Sequence, residues 1–256
     1  MIFLAAGTQD GRELAGYLLS KGYSVTASAV SSYGGMLLKK YPGIVINDEP
    51  LDEEGLVEYI GEHGIKLFVD ASHPYAANVS QNAMNACKRT HIPYIRYERK
   101  AVPVDYDKVY AVDGYEEASK KAASLGKNVF LTTGSRNLKA FATSPYLQDC
   151  VLTVRLLPTA KVIAECTELG FSPKNIVALQ GPFSTELNIA LYRQYEADVI
   201  VTKNSGEVGG TDTKLEAAKA LGLPVVMIDR PKITYDEIAY TFEDIAAFAE
   251  KHIAKK

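Results

Sequence analysis

The chain has 256 residues, 47% of them hydrophobic and 23% charged, so it can bury a sizeable core without disulfides or a structural metal. Its 28 basic and 31 acidic residues leave a net charge of −3, which argues against a general nucleic-acid binder and leaves room only for a local basic site. Cys87, Cys150 and Cys166 are scattered and share no ligand spacing with the four histidines, so no metal site is expected and a reducing, cytoplasmic setting is the simplest reading.

No apolar run approaches the roughly 18 residues that span a bilayer, and no basic region followed by an apolar run marks a secretory leader. Neither a membrane partner nor export is therefore expected.

Residues 2–6 read as a strand, followed by a Gly-Thr turn and a helix over 10–21, where Leu14 and Leu18 share a face and Gly22 supplies the stop. Residues 23–30 alternate apolar and polar side chains, a half-buried strand. A short strand at 44–46 precedes a helix over 52–62 with acids in its first turn. A strand at 65–70, a helix at 76–90 and a strand at 92–97 follow. The pattern then repeats in kind, with strands at 109–112, 129–132, 151–155, 176–180, 199–203 and 224–228. Helices are read near 115–125, 160–169, 185–195 and 213–221. A last helix is expected to open on a capping box, Thr234 with Glu237, and to carry Ile238, Phe242, Ile245 and Ala249 on one stripe.

Alternating strands and helices imply right-handed parallel βαβ units. About eleven strands exceed a comfortable open sheet of roughly ten or fewer. The expectation is therefore an α/β protein of two Rossmann-like, doubly wound parallel-sheet subdomains with a cleft between them. The dinucleotide side covers 1–99, the anion and substrate side 100–232, and a C-terminal helix over 233–256 packs on the body. A (β/α)₈ barrel is the alternative fold, disfavoured because it would use only some of these strands.

Ligands of parallel sheets bind beyond the carboxyl ends of the strands, at switch points. Five post-strand segments are candidates. Gly7, Thr8, Gly11 and Arg12 lie at the start of a helix whose free N–H groups suit a phosphate, though the spacing is not GxGxxG and also suits a plain tight turn. Ser31, Ser32, Tyr33 and Gly34 place small hydroxyls where an NADH-specific fold carries an acid, which leans toward NADPH; a polar loop is the bland alternative. His73 can donate a proton near neutrality and Tyr75 can stack on a flat ligand, although a solitary histidine is more often structural. Arg96, Arg99, Thr133, Gly134, Ser135, Arg136 and Arg155 cluster at strand ends, where guanidinium groups can grip carboxylates. Lys203, Asn204, Ser205, Gly209, Gly210 and Lys214 form a glycine-rich segment suited to an anion nest, without P-loop spacing.

In order, the segments LAAGTQDGREL, SSYGG, DASHPYA, IRYERK, LTTGS, Arg155 to Pro158, LQGPFS, VTKNSGEVGG with KLEAA, and IDRP resemble the precorrin-6A reductase and cobalt-precorrin-6A reductase family. The resemblance runs from residue 2 to about 231, with DASHPYA and VTKNSGEVGG the most specific pieces. Two positions depart from the family pattern: Ala6 stands where a second glycine precedes the threonine, and Lys100 where a proline follows the Glu-Arg pair. The resemblance implies a cytoplasmic oxidoreductase of cobalamin (vitamin B12) biosynthesis acting on a CH–CH group. It would use NADPH or NADH to reduce one double bond of a ring-contracted tetrapyrrole to the 6B form.

On that reading His73, Tyr75 and Lys203 are catalytic, and the segments around Gly7 and Ser31 hold the nicotinamide cofactor. The strand-end arginines and the Lys203–Lys214 segment hold the carboxylated substrate. Transient contact with other enzymes of the pathway is expected. Two other classes stay open: a non-catalytic dinucleotide or metabolite sensor, and a uroporphyrinogen-III-synthase-like enzyme that needs no nicotinamide.

Overall fold

The central strands of the first sheet, β1 (Ile2–Ala5) and β4 (Leu67–Asp70), are buried at every position, as expected of parallel strands covered by helices on both faces. A computed structural model describes residues 1–29 and 32–253. Among these, twelve strands form two six-stranded sheets in which every pairing is parallel. The chain divides into two units, Met1–Lys100 with Pro231–Lys256, and Ala101–Arg230.

In the first unit β1 and β4 are joined by β2 (Val25–Ser28), β3 (Val45–Asn47), β5 (Tyr94–Tyr97) and β12 (Ile238–Ala239), in the order β3-β2-β1-β4-β5-β12. This is the doubly wound 3-2-1-4-5-6 order, which reverses between β1 and β4. Helices α1 (Gln9–Ser20) and α10 (Phe242–His252) cover one face through Leu14, Leu18, Ile245 and Ala249. Helices α3 (Glu53–Glu62) and α4 (Ala77–Thr90) cover the other, packing Leu56, Ile60, Ala83 and Cys87 on Phe3 and Phe68. A further helix, α2 (Ser32–Leu38), follows β2.

The second unit repeats the order. Strands β9 (Ile176–Ala178), β8 (Val151–Leu156), β7 (Asn128–Leu131), β10 (Val199–Lys203) and β11 (Val225–Ile228) run 3-2-1-4-5. The sixth place is taken by β6 (Val109–Val112), which precedes the others in the chain. The reversal lies between β7 and β10, where Leu131 stands opposite Val201. Helices α5 (Tyr115–Leu125), α6 (Leu138–Ala142), α7 (Ala160–Glu168), α8 (Thr185–Gln194) and α9 (Thr211–Leu221) complete the unit.

Three expectations need correction. The first sheet holds six strands rather than five, because short β12, in a segment read as part of the last helix, fills the last position, whereas the six strands expected in the second unit are all present. The expected 31–35 loop is instead the start of α2 from Ser32 onward, and Ser31, like Val30 at the end of the expected second strand, lies outside the described residues. Thr234 and Glu237 do not cap a helix. The Arg96 amide donates to the Glu237 carbonyl and the Glu98 amide to that of Ala239, so the open edge of β5 takes this segment as a strand. Ile238 is 41% exposed there rather than part of an apolar stripe.

The helix starts later, with Thr241 as its cap: Oγ1 accepts the Asp244 amide at 3.1 Å. Thr241→Ala should cost about 1 kcal/mol. Thermal unfolding should show this as a midpoint about 2–4 °C lower.

Candidate active site

The loops after β1 and β4 meet because these strands are neighbours at the reversal of the first sheet. Thr8 joins them. Its Oγ1 accepts the Gly11 amide at 3.0 Å, capping α1, and donates to the Ala71 carbonyl at 3.0 Å. A Cβ on Gly11 would lie 3.0 Å from that carbonyl, so any side chain there would press on the neighbouring loop. Gly7 is exposed, with no atom within 4 Å of the position a Cβ would take, so its backbone is open to a ligand. Asp10 puts a buried carboxylate on the same turn, and Arg99 neutralises it by an ion pair. Arg12 and Tyr33 are half-buried and Gly34 is buried.

The carboxyl end of β4 carries a closed polar network. Asp70 and Arg96, opposite each other in register, have side chains with no exposed surface. Arg96 Nη1 donates to Asp70 Oδ1 at 2.9 Å and to Ser72 Oγ at 3.1 Å, Nη2 to the Ser72 carbonyl at 3.0 Å, and Nε to Glu98 at 2.8 Å. Asp70 also accepts from the Ser72 amide, Ser80 Oγ and Tyr94 Oη. Tyr235 stands over the Arg96 guanidinium at 5.6 Å.

The expectation that Arg96 grips a substrate carboxylate is therefore corrected. Its guanidinium is enclosed and holds the loop that leads to His73 and Tyr75. Those two side chains are half-buried with rings 5.6 Å apart. His73 Nδ1 accepts the Tyr75 amide at 3.2 Å, which leaves Nε2 as the proton-bearing nitrogen of the neutral ring.

In the second unit the equivalent reversal brings together the ends of β7 and β10. Lys203 is 8% exposed and donates to the Thr133 carbonyl at 3.1 Å, while Thr133 Oγ1 is buried without a hydrogen-bond partner. Burial, with the nearby charge of Arg136, lowers Lys203 to about 8. Arg136 is itself exposed, beyond half-buried Gly134 and Ser135.

On β8, Arg155 is 5% exposed, donates to Asn188 Oδ1 at 2.6 Å and lies 4.2 Å from the Phe183 ring. On α9, Lys214 is 8% exposed and donates to the Gly209 carbonyl at 2.8 Å. Neither Arg155 nor Lys214 forms an ion pair with a carboxylate among the described residues. Gly210 takes the left-handed conformation, φ 63°, that starts α9.

Asn204 does not face a ligand with its amide. Nδ2 donates to the Val102 carbonyl and Oδ1 accepts the Val102 amide, so it tethers the segment entering the unit. Ser205 is buried, its amide bonded to Thr211 Oγ1.

Sequence reading missed Asn188 and Phe183, which orient Arg155 from α8 and the turn before it. It also missed exposed Leu157, Leu179 and Val208, which follow β8, β9 and β10 at the carboxyl edge. Among the described residues no group of ligating side chains suits a metal, and no helix is long and apolar enough to cross a membrane.

The model of the family described as precorrin-6x reductase CbiJ/CobK matches residues 1–250. The chain is 45% identical over 246 residues to the cobalt-precorrin-6A reductase of Priestia megaterium, covering 96% of each. It is 36% identical over 240 residues to the cobalt-precorrin-6A reductase of Methanothermobacter thermautotrophicus, covering 92% of this chain and 78% of that one. Among solved structures it resembles a CobK precorrin-6A reductase with a TM-score of 0.79 at 27% identity, covering 98% of this chain and 96% of that one.

Proposed function

The chain belongs to the precorrin-6x reductase CbiJ/CobK family, and from that premise we propose that it reduces cobalt-precorrin-6A to its 6B form with NADPH as donor. It is an oxidoreductase acting on a CH–CH group, in cobalamin biosynthesis. The observation that carries the substrate reading is the set of buried cations on the second unit, Arg155, Lys203 and Lys214. A desolvated guanidinium without a carboxylate is costly unless a ligand anion completes it, and the substrate class is rich in carboxylates. Exposed Leu157, Leu179 and Val208 suit the apolar face of a macrocycle.

A bound reduced nicotinamide supplies the hydride. The open backbone at Gly7, the capped turn of Thr8 and Gly11, and Arg12 fit a dinucleotide phosphate, since Arg99 already neutralises Asp10. Ser32, Tyr33 and Gly34 follow the neighbouring strand in the chain, and the sequence there carries no acid that would exclude a 2′-phosphate. Arg136 and Arg155 hold carboxylates and set the ring face presented. Lys203, charged below about 8, donates a proton or stabilises a protonated ring nitrogen, and His73 Nε2 is the second donor. Tyr75 offers its ring for stacking. Residence in the cytoplasm and transient contacts with neighbouring pathway enzymes belong to the same reading.

The test is anaerobic incubation of the purified chain with NADPH or NADH and with cobalt-loaded or metal-free precorrin-6A. Oxidation of the nicotinamide and a product heavier by two hydrogens are expected, fastest with the cobalt ring and NADPH. Binding without turnover would replace this reading by a sensor, and turnover without nicotinamide by a cyclase-like enzyme. The rate should fall as pH rises through about 8, where Lys203 loses its proton, and Lys203→Arg should keep its charge and remove that fall. A profile unchanged by the substitution would remove Lys203 from the proton path.

A further inference from the structure

We propose that the oxyanion held by the second unit enters together with a proton, which lodges on Lys214 Nζ. The inference rests on the reading that Arg155, Lys203 and Lys214 hold an anionic group of the ligand.

The geometry is a crowd of cations out of water. Lys214 is 8% exposed and donates to the neutral Gly209 carbonyl. Arg155 on β8, 5% exposed, is always charged and meets the neutral amide of Asn188 and the ring of Phe183, with no ion pair to a carboxylate among the described residues. Lys203 bears on the same group from β10, and Asp212 on α9 acts on it in the opposite sense. From α8, packed on α9, come the neutral Asn188 and the buried Tyr192 phenol. The turn Glu207–Gly209 brings its Gly209 carbonyl, with Glu207 exposed.

A buried ammonium beside a permanent guanidinium charge is relieved by giving up its proton. Burial, then Arg155, push Lys214 down; Asp212 pulls it back and Lys203 lowers it again, leaving it at about 7. An arriving carboxylate or phosphate reverses the balance at the same spot. It supplies the missing negative charge, so the ammonium form is again favoured. The proton moves from the buffer acid to the Nζ lone pair, and the buffer is left as its base. Linkage then makes the affinity depend on pH by the number of protons taken up.

The oxyanion is either a carboxylate of the macrocycle or a phosphate of the cofactor. Leu157, Leu179 and Val208, exposed at the same edge, favour the macrocycle.

The test is calorimetric titration of the full chain with uroporphyrin I, NADPH and inorganic phosphate, each in two buffers of different ionisation heat, at about pH 8 and about pH 6. Uroporphyrin I should bind with uptake of about one proton by Lys214 at the higher pH, with a further fraction on Lys203, and nearly none at the lower, where both are already charged. Uptake with NADPH instead would identify the oxyanion as a cofactor phosphate and leave the role of Lys214 standing. Lys214→Met should lose most of the uptake. If that variant does not fold, Lys214→Arg, which keeps its charge at any working pH, should bind with no more than the part of a proton that Lys203 takes up.

Tight binding by the wild type with no uptake at the higher pH would overturn the inference while leaving the anion site intact. So would uptake left undiminished by both substitutions. Failure of all three probes to bind, or binding indifferent to Arg155→Met, would overturn the anion-site reading itself.

Discussion

Arg96→Met is expected to destabilise the first unit by about 3–5 kcal/mol, because it leaves the Asp70 carboxylate buried without its counterion. Both side chains have no exposed surface, and one guanidinium satisfies Asp70, Ser72 and Glu98 at once. Burial pushes the Asp70 carboxyl up, but Arg96 and the Ser80, Ser72 and Tyr94 donors outweigh it and hold it below the usual carboxylate range.

The sign follows from that direction. Ionised Asp70 contributes stability above the ordinary value of 3.8, and this is lost as pH falls through the lower folded value. In the variant the carboxyl is raised instead, so a protonated Asp70 tolerates burial. The stability gap between wild type and variant should therefore narrow as pH is lowered toward about 4 in urea unfolding curves. A gap independent of pH would mean that lost packing, not the stranded charge, causes the destabilisation. Because the network holds the Ser72 carbonyl and amide, the variant should also lose turnover more than affinity for the macrocycle.

Arg155→Met is expected to lower kcat/KM for the tetrapyrrole by about 10- to 150-fold, the equivalent of roughly 1.5–3 kcal/mol for one charged hydrogen bond. Methionine keeps much of the length and apolar contact with Phe183, so the loss isolates the charge. The fold should be unharmed or slightly more stable, since a buried guanidinium without a carboxylate is itself unfavourable in the empty protein. Steady-state kinetics beside thermal unfolding would check both halves. A variant that is less stable and fully active would show Arg155 to be a scaffold residue and sink its substrate role. The size of the loss also separates Arg155 from Arg136, whose exposed guanidinium is screened by water and should matter less.

The alternation of apolar strands with helices is written plainly along this chain. Residues 2–6, 65–70 and 199–203 were expected as strands, and Ile2–Ala5, Leu67–Asp70 and Val199–Lys203 are strands. Short local signals read just as well: Gly22 after α1, and the glycines and His-Pro-Tyr run at the strand exits. Local steric and hydrogen-bonding rules suffice for these, so neighbours in sequence reveal them. The helix cap was misplaced at Thr234 because Thr234–Glu237 and Thr241–Asp244 are both credible starts. What decided between them was the open edge of β5, far off in the chain, whose amides needed partners.

Arginine is the clearest division. Arg96, Arg136 and Arg155 each stand near a strand's carboxyl end, and on the page they are the same residue with the same promise. Their chemistry depends on the surrounding dielectric and on which carboxylate comes near, and both are set by contacts between distant segments. Folding encloses Arg96 with Asp70, leaves Arg136 in water, and buries Arg155 beside an amide and an aromatic ring. The order of residues determined that the chain would build parallel sheets and where its loops would emerge. Only the tertiary structure decided which of its charges are neutralised by a carboxylate of the protein and which are buried beside neutral groups, because a charge's free energy belongs to its surroundings rather than to its side chain.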